Sequence, residues 1–474
     1  VSASRLAGAA PRGTGRAGLW ILAAALILVV YLPSQSGPMQ FDDHATLAVD
    51  PGSQQLDAWW QALARHVRPL TKLSFVATHQ LGQLMGGPVL VHHLGSLLIH
   101  LANGLLVGLL ARELAARHTP TLDAGRRDMV ALGSALLFGL HPVATEAVSY
   151  LSGRSIALGM LFGTLAMLAH LRGRNGLALM ALVAAVAARE TMVFMVLVVW
   201  LFDVSRTDRS APAFSLTRLR ALWPCLAAGL IVALAAGAWM LGNDRYSLLL
   251  DLSAQIAGDR LGSPSLLVAL RYFVQLLLLM RYPSIDPAVD GPMPTSTRLL
   301  LSLALLLMLV LAWRARHQRP EWVIALAWCL ALLAPLYLFA IRHDPVADRH
   351  FYPALAPVAW LIATTIARLG RARGAVLGAL AVTLAVVTAV RNADYRSEVA
   401  LWEAAARGAP GKVRVLNNLG VAYLAEQRWT EAQAVLQQAL EIDPGHDLAA
   451  ENLAQARAGA DQAARRAAGA SIRD

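Results

Sequence analysis

The stretch GLWILAAALILVVYLPSQSGPMQFDD, residues 18–43, decides how the rest of the chain is read. Its first part, 18–33, is an apolar run that a bilayer accepts as a helix. A loop rich in Pro, Ser and Gly then leads to Asp42-Asp43. A span needs about 20 apolar residues, fewer where neighbouring helices thin the membrane. Carboxylates just beyond such a run stand at the membrane surface, where they serve as a general base or hold a divalent ion.

Runs of the same kind recur at 89–111, 129–147, 155–171, 176–188, 191–203, 221–241, 298–313, 321–341, 353–369 and 374–391. The 474 residues are 57% hydrophobic and 15% charged, with mean hydropathy +0.51. A soluble protein keeps a larger charged shell, so the balance defines a polytopic membrane protein. The net charge of +11 does not indicate nucleic acid, because the basic residues cluster in short loops between apolar runs, where they set topology. Cys225 and Cys329 both lie inside apolar runs, as small core residues rather than a disulfide or zinc framework.

The leader with Arg5, Arg12 and Arg16 is basic, and 18–33 reads as a signal anchor. Basic loops follow at Arg112–Arg127, Arg172–Arg174, Arg206–Arg220, Arg314–Arg319 and Arg368–Arg373. Placing all of them inside gives about eleven alternating spans, provided 265–282, which carries Arg271, is a re-entrant or interfacial helix. The amino terminus is then cytoplasmic, and the loops 34–88, 242–297 and 342–352, with everything after 391, lie outside. The expected fold is all-α, a polytopic helical bundle with a short helical domain at its carboxyl end.

That end changes character. Leu416, Leu419, Gly420, Tyr423, Ala432, Leu436, Ala439 and Pro444 have the spacing of one tetratricopeptide repeat. A single repeat cannot bury its own faces, so amphipathic stretches at 397–407 and 448–457 are expected to cap it. The expected boundaries are a basic leader 1–17, a membrane domain 18–391, a repeat region 392–458 and a flexible tail 459–474.

Polar residues in so apolar a chain are candidates for chemistry. Asp42 and Asp43 project to opposite sides of an extended chain, so one can act while the other orients; which does which stays open. Pro142 breaks a span and leaves His141 and Glu146 at its mouth, with Tyr150 and Arg154 further along. An internal Glu146–Arg154 pair that merely fixes two helices is the plainer alternative. Arg189-Glu190 falls between two apolar runs, and Asp348-Arg349-His350-Phe351-Tyr352 opens a span, where an arginine suits a phosphate. His93, Ser96, His100 and Asn103 form a polar stripe suited to hydrogen bonds between helices. Walker loops, dinucleotide fingerprints and CxxC pairs are missing from the sequence.

These pieces in order resemble the GT-C class of membrane glycosyltransferases, in particular the transmembrane-and-tetratricopeptide-repeat O-mannosyltransferase-like proteins and their bacterial relatives. The resemblance rests on Phe41-Asp42-Asp43, Arg68-Pro69-Leu70, Leu73-Ser74-Phe75, His93-Leu94 with His100, and the run Leu136–Pro142. It continues through Thr145-Glu146-Ala147-Val148, Ser152-Gly153-Arg154, Arg189-Glu190-Thr191 and Arg349-His350-Phe351-Tyr352. The resemblance implies transfer of a sugar from a polyprenyl-phosphate carrier to a hydroxyl on a protein, glycan or lipid acceptor, outside the cytoplasm. A multi-pass protein of the bacterial inner membrane, with its repeat in the periplasm, is implied with it. Asp42 or Asp43 would be the catalytic base, and Arg349, Arg154 and Arg68 would hold the donor phosphate. His141, Glu146, Tyr150, Glu190 and Tyr352 would line the pocket. No protein metal site is expected, and a divalent ion is optional because lipid phosphate is already a good leaving group. The competing expectation is a membrane scaffold or transporter subunit whose repeat recruits a protein partner.

Overall fold

A computed structural model describes residues 14–66, 68–199, 266–288, 294–338 and 346–470, with four isolated positions between 234 and 242. Arg5, Arg12, the loop from Arg206 to Arg220, Cys225 and Asp290 lie outside the described residues. Among the described residues every regular element is helical. Five helices are long and apolar enough to cross a membrane, and six if one bent pair is a single broken span. Shorter apolar helices accompany them, and the chain is a multi-pass membrane protein. Over its described residues every other expected run coincides with one of these helices, while 221–241 lies outside the described residues save for isolated positions.

The membrane part begins with α1 (Thr14–Tyr31), followed by the short α2 (Leu56–Gln61), α3 (Pro69–Met85) and the long α4 (Pro88–His118). Then come α5 (Ala124–Gly139), α6 (Thr145–Val148), α7 (Arg154–Leu171) and α8 (Asn175–Ala188). Small residues set the crossings: a Cβ at Gly108 of α4 would stand 2.6 Å from the Trp20 ring of α1 and 2.8 Å from the Ala131 carbonyl. Backbones in a bilayer approach closely only where such side chains are lacking.

Pro142 has the effect expected of it. The chain bends by 55° between α5 and the turn that leads into α6, because Pro142 has no N–H to give the preceding turn. Two of the carbonyls at the break find other donors: His100 Nε2 meets the Gly139 oxygen at 3.0 Å, and Thr388 Oγ donates to Leu140 at 2.6 Å. An unmet carbonyl at this depth would cost several kcal/mol (roughly), so these bonds are what make the break tolerable. His100 Nδ1 accepts from the Tyr352 hydroxyl at 2.9 Å, and Asn103 donates to the Ala157 carbonyl at 2.8 Å. The polar stripe on α4 thus joins helices, as expected.

The second half contains α9 (Leu266–Leu277), α10 (Thr295–Ala315), α11 (Pro320–Leu338), α12 (Leu355–Ala367) and α13 (Arg373–Asp394). Over its described residues α9 spans 12 positions, within the stretch 265–282 expected to be re-entrant or interfacial.

The tail packs α14 (Glu398–Gly408), α15 (Val413–Ala425), α16 (Trp429–Ile442) and α17 (Asp447–Ala470) in sequence. Ser397 caps α14 by accepting from the Ala400 N–H at 3.1 Å. Gly420 is required by the close approach of α15 and α16, since a Cβ there would lie 2.5 Å from Leu436 Cγ. The helix α17 runs on to Ala470, through most of the stretch 459–474 expected to be a flexible tail. Its alanine-rich sequence favours helix, and Gly459 lies against the Trp429 ring.

The tail is bolted to the membrane part. Tyr150 and Ile285 belong to the same buried cluster as Tyr395, Trp402, Leu416 and Leu436. Beside them, buried Asp286 accepts from Arg414 Nε at 2.7 Å and also pairs with the Lys412 ammonium. Replacing Asp286 by Ala removes the carboxylate that these two cations share, and we expect a loss of about 1.5–3 kcal/mol. Limited proteolysis of the 408–414 linker should accelerate accordingly, and unchanged cleavage would contradict the bolt.

Candidate active site

The site forms where the loop after α1, the broken α5–α6 segment, the turn before α12 and the tail meet. Glu146 is carried into it by the bend at Pro142 and is fully enclosed. It does not pair with Arg154. Its carboxylate accepts from the Arg349 backbone N–H at 2.7 Å and from the Arg349 guanidinium. Arg349 stays half-buried. Burial opposes its charge, but Glu146 beside it more than offsets that and holds its pKa above the usual range. Next to it, Asp348 accepts from the Tyr272 hydroxyl at 2.6 Å and the Ser284 N–H at 2.7 Å. Both residues flanking the arginine's attachment are thereby fixed.

The two aspartates separate cleanly. Asp43 is 1% exposed and accepts from the Ser152 N–H at 2.7 Å, the Ser152 hydroxyl at 2.6 Å and the Leu151 and Gln40 N–H groups. Burial pushes its carboxyl up to about 6, against the pull of these bonds. Asp42 is exposed, and its charge is felt by both Tyr150 and Arg349. Burial, then the nearby Asp43 and Asp42 charges, push the Tyr150 phenol well above its usual range. Arg349 lies 5.9 Å from the Tyr150 ring centroid. An exposed carboxylate, a protonated phenol and a fixed guanidinium therefore stand close together. Such a set can take a proton from a hydroxyl and hold an anionic leaving group.

Phe41, before Asp42, has φ +50°, a left-handed conformation that costs a side-chain-bearing residue roughly 1–2 kcal/mol. Its ring meets Trp402 edge-on at 5.5 Å.

The remaining expected residues are placed elsewhere. Arg154 is buried at the start of α7 and spends its donors on Ser96 Oγ, Thr78 Oγ and the Ser74 and His92 carbonyls. The guanidinium thereby ties α3, α4 and α7 together. Arg68 forms a two-bond pair with Glu190, at 2.9 and 2.8 Å, which joins the start of α3 to the end of α8. His141 is buried and caps the turn after it through Nδ1 to the Val143 N–H. Tyr352 is fully buried, its hydroxyl held between His100 and Asn103. Sequence reasoning did not foresee the Asp348–Tyr272 bond or the Phe41–Trp402 contact, because both join elements far apart in the chain. Among the described residues no three His, Cys, Asp or Glu side chains gather as a metal would require.

Comparison with known proteins follows the same lines. Residues 413–446 match the tetratricopeptide repeat family. Over 178 residues the chain is 26% identical to a protein O-mannosyl-transferase of Caenorhabditis elegans, covering 35% of this chain and 24% of that protein. The match thus spans about a quarter of the relative's length. The crystal structure of ArnT from Cupriavidus metallidurans in the apo state aligns with 97% of this chain and 80% of its own, at 16% identity and a TM-score of 0.45. The same protein bound to undecaprenyl phosphate aligns with 96% and 79%, at 17% identity and a TM-score of 0.43.

Asp43 also makes a pH signature. Its folded pKa lies above the unfolded value, so its protonation stabilises the fold. That contribution is complete below pH of about 4 and is lost as pH rises through about 6. Thermal melts in detergent should show Asp43→Asn with a flatter stability profile than wild type between those limits. Parallel profiles would contradict the buried carboxyl.

Proposed function

We propose that the protein is a membrane glycosyltransferase that moves a sugar from a polyprenyl-phosphate donor to an acceptor hydroxyl, on a protein in our reading. The transfer takes place on the periplasmic side of the bacterial inner membrane. One observation carries the reading. In a largely apolar chain, an exposed carboxylate at Asp42, the Tyr150 phenol and an Arg349 held by buried Glu146 stand close together. The local similarity to an O-mannosyl-transferase supports it. So does the family resemblance of the ordered motifs from Phe41 to Tyr352.

In this reading Asp42 is the base. The acceptor oxygen attacks the anomeric carbon as its proton passes to Asp42, and the bond from that carbon to the lipid-phosphate oxygen breaks. The negative charge that develops on the departing phosphate faces Arg349, which Glu146 keeps from swinging away. A single displacement of this kind inverts the anomeric centre. Asp43 does not touch the acceptor; it fixes the loop on which Asp42 sits.

Asp42→Asn should lower transfer by about 10²–10⁴-fold while detergent melts and donor binding stay at wild-type values. Full transfer by that variant would remove the proposed base. Arg349→Lys keeps a cation opposite Glu146 but loses the forked geometry. It should raise KM for the lipid donor several-fold more than Asp42→Asn does, and an unchanged KM would take Arg349 off the phosphate.

A further inference from the structure

The geometry points to α14, the first helix of the tail, as a positioning element for Asp42, with Trp402 as its principal contact. The inference rests on the transferase reading above and adds a residue to it. The loop 37–44 touches the start of the tail at four places. A Cβ on Gly37 would overlap the Tyr395 carbonyl, so the chain passes there only as glycine. Gln40 donates through Nε2 to that same carbonyl at 2.8 Å. Phe41 lays its ring edge-on against Trp402 at 5.5 Å, with an interplanar angle of 79°. His44 Nε2 meets Glu398 Oε1 at 3.0 Å.

These contacts bracket Asp42 on both sides, whereas the membrane part holds the loop through Asp43 to Leu151 and Ser152. The conformation that most determines where Asp42 points is the left-handed turn at Phe41. Left alone, a phenylalanine relaxes out of that region. Trp402, itself 3% exposed and part of the repeat's buried cluster, is the wall that keeps it there. The tail therefore completes the site: its own core reaches from Leu436 through Trp402 to the residue before the base. Tyr150, which faces Asp42, lies in the same cluster. A partner or acceptor that displaced α14 would move base and phenol together.

The test uses the full chain in detergent, with two readouts. Hydrogen exchange of residues 40–44 should speed up at least about tenfold in Trp402→Ala, by more than the amides of 413–446 do, with Trp402→Phe close to wild type. With undecaprenyl-phosphate mannose as the donor probe, Trp402→Ala should lower kcat by about 10- to 100-fold and leave the donor KM unchanged, since a misplaced base costs rate rather than affinity. Phenylalanine should restore kcat. Unchanged exchange at 40–44, or wild-type kcat in Trp402→Ala, would overturn the proposal even where Asp42→Asn is inactive. A wild-type chain that turns over no lipid-linked sugar counts against the transferase reading alone, because the exchange readout still decides whether α14 holds the loop.

Discussion

The bond between Glu146 and Arg349 is the constraint on which the rest of the site depends. A carboxylate enclosed this completely is costly unless it is paired and hydrogen-bonded. Glu146 meets both conditions through the backbone and the guanidinium of one residue. The pair joins the broken helix α5–α6 to the turn before α12, segments about 200 residues apart in the chain. It also leaves part of the Arg349 guanidinium open toward Tyr150 and Asp42. Packing and function thus meet in one ion pair.

Around that pair the labour is divided between residues that act and residues that hold. Asp42 is open, while Asp43 is sealed and anchors the loop to the turn before α7. Arg154, Arg68 and Glu190 join helices to one another. His100, Asn103 and Tyr352 hold the floor of the site by satisfying the groups around the break at Pro142. The tail contributes a wall through Trp402 and a bolt through Asp286. A repeat too short to stand alone is stabilised by the membrane part and returns order to the loop that carries the base.

Much of this was legible in the sequence for physical reasons. Apolar runs are unambiguous because a bilayer demands them, and Pro142 announced its break because no other residue lacks the backbone donor. The repeat was readable from Gly420, Tyr423, Ala432 and Leu436, since close helix packing admits few sizes at those positions. Glu146 stood out in the sequence as a polar residue at the broken span, but its partner Arg349 did not. Spacing along one helix suggested Arg154, whereas the chain turns extended at Tyr150 and sends Arg154 beneath the loop. Tyr352 and His141 carry polar atoms at the right depth, and sequence alone does not tell a pocket wall from a buried network. The separation of Asp42 from Asp43 was equally out of reach. It depends on which carboxylate meets the Ser152 N–H, a contact across 109 positions.

The account's central claim is that one carboxylate in this cluster is open and its neighbours are sealed by protein partners. Carbodiimide labelling of the folded protein in detergent, followed by peptide mass spectrometry, measures that difference directly. Asp42 should be modified rapidly, and Asp43, Glu146 and Asp348 should remain unmodified until the protein is unfolded. Equal labelling of Asp42 and Asp43, or rapid labelling of Glu146, would contradict the account.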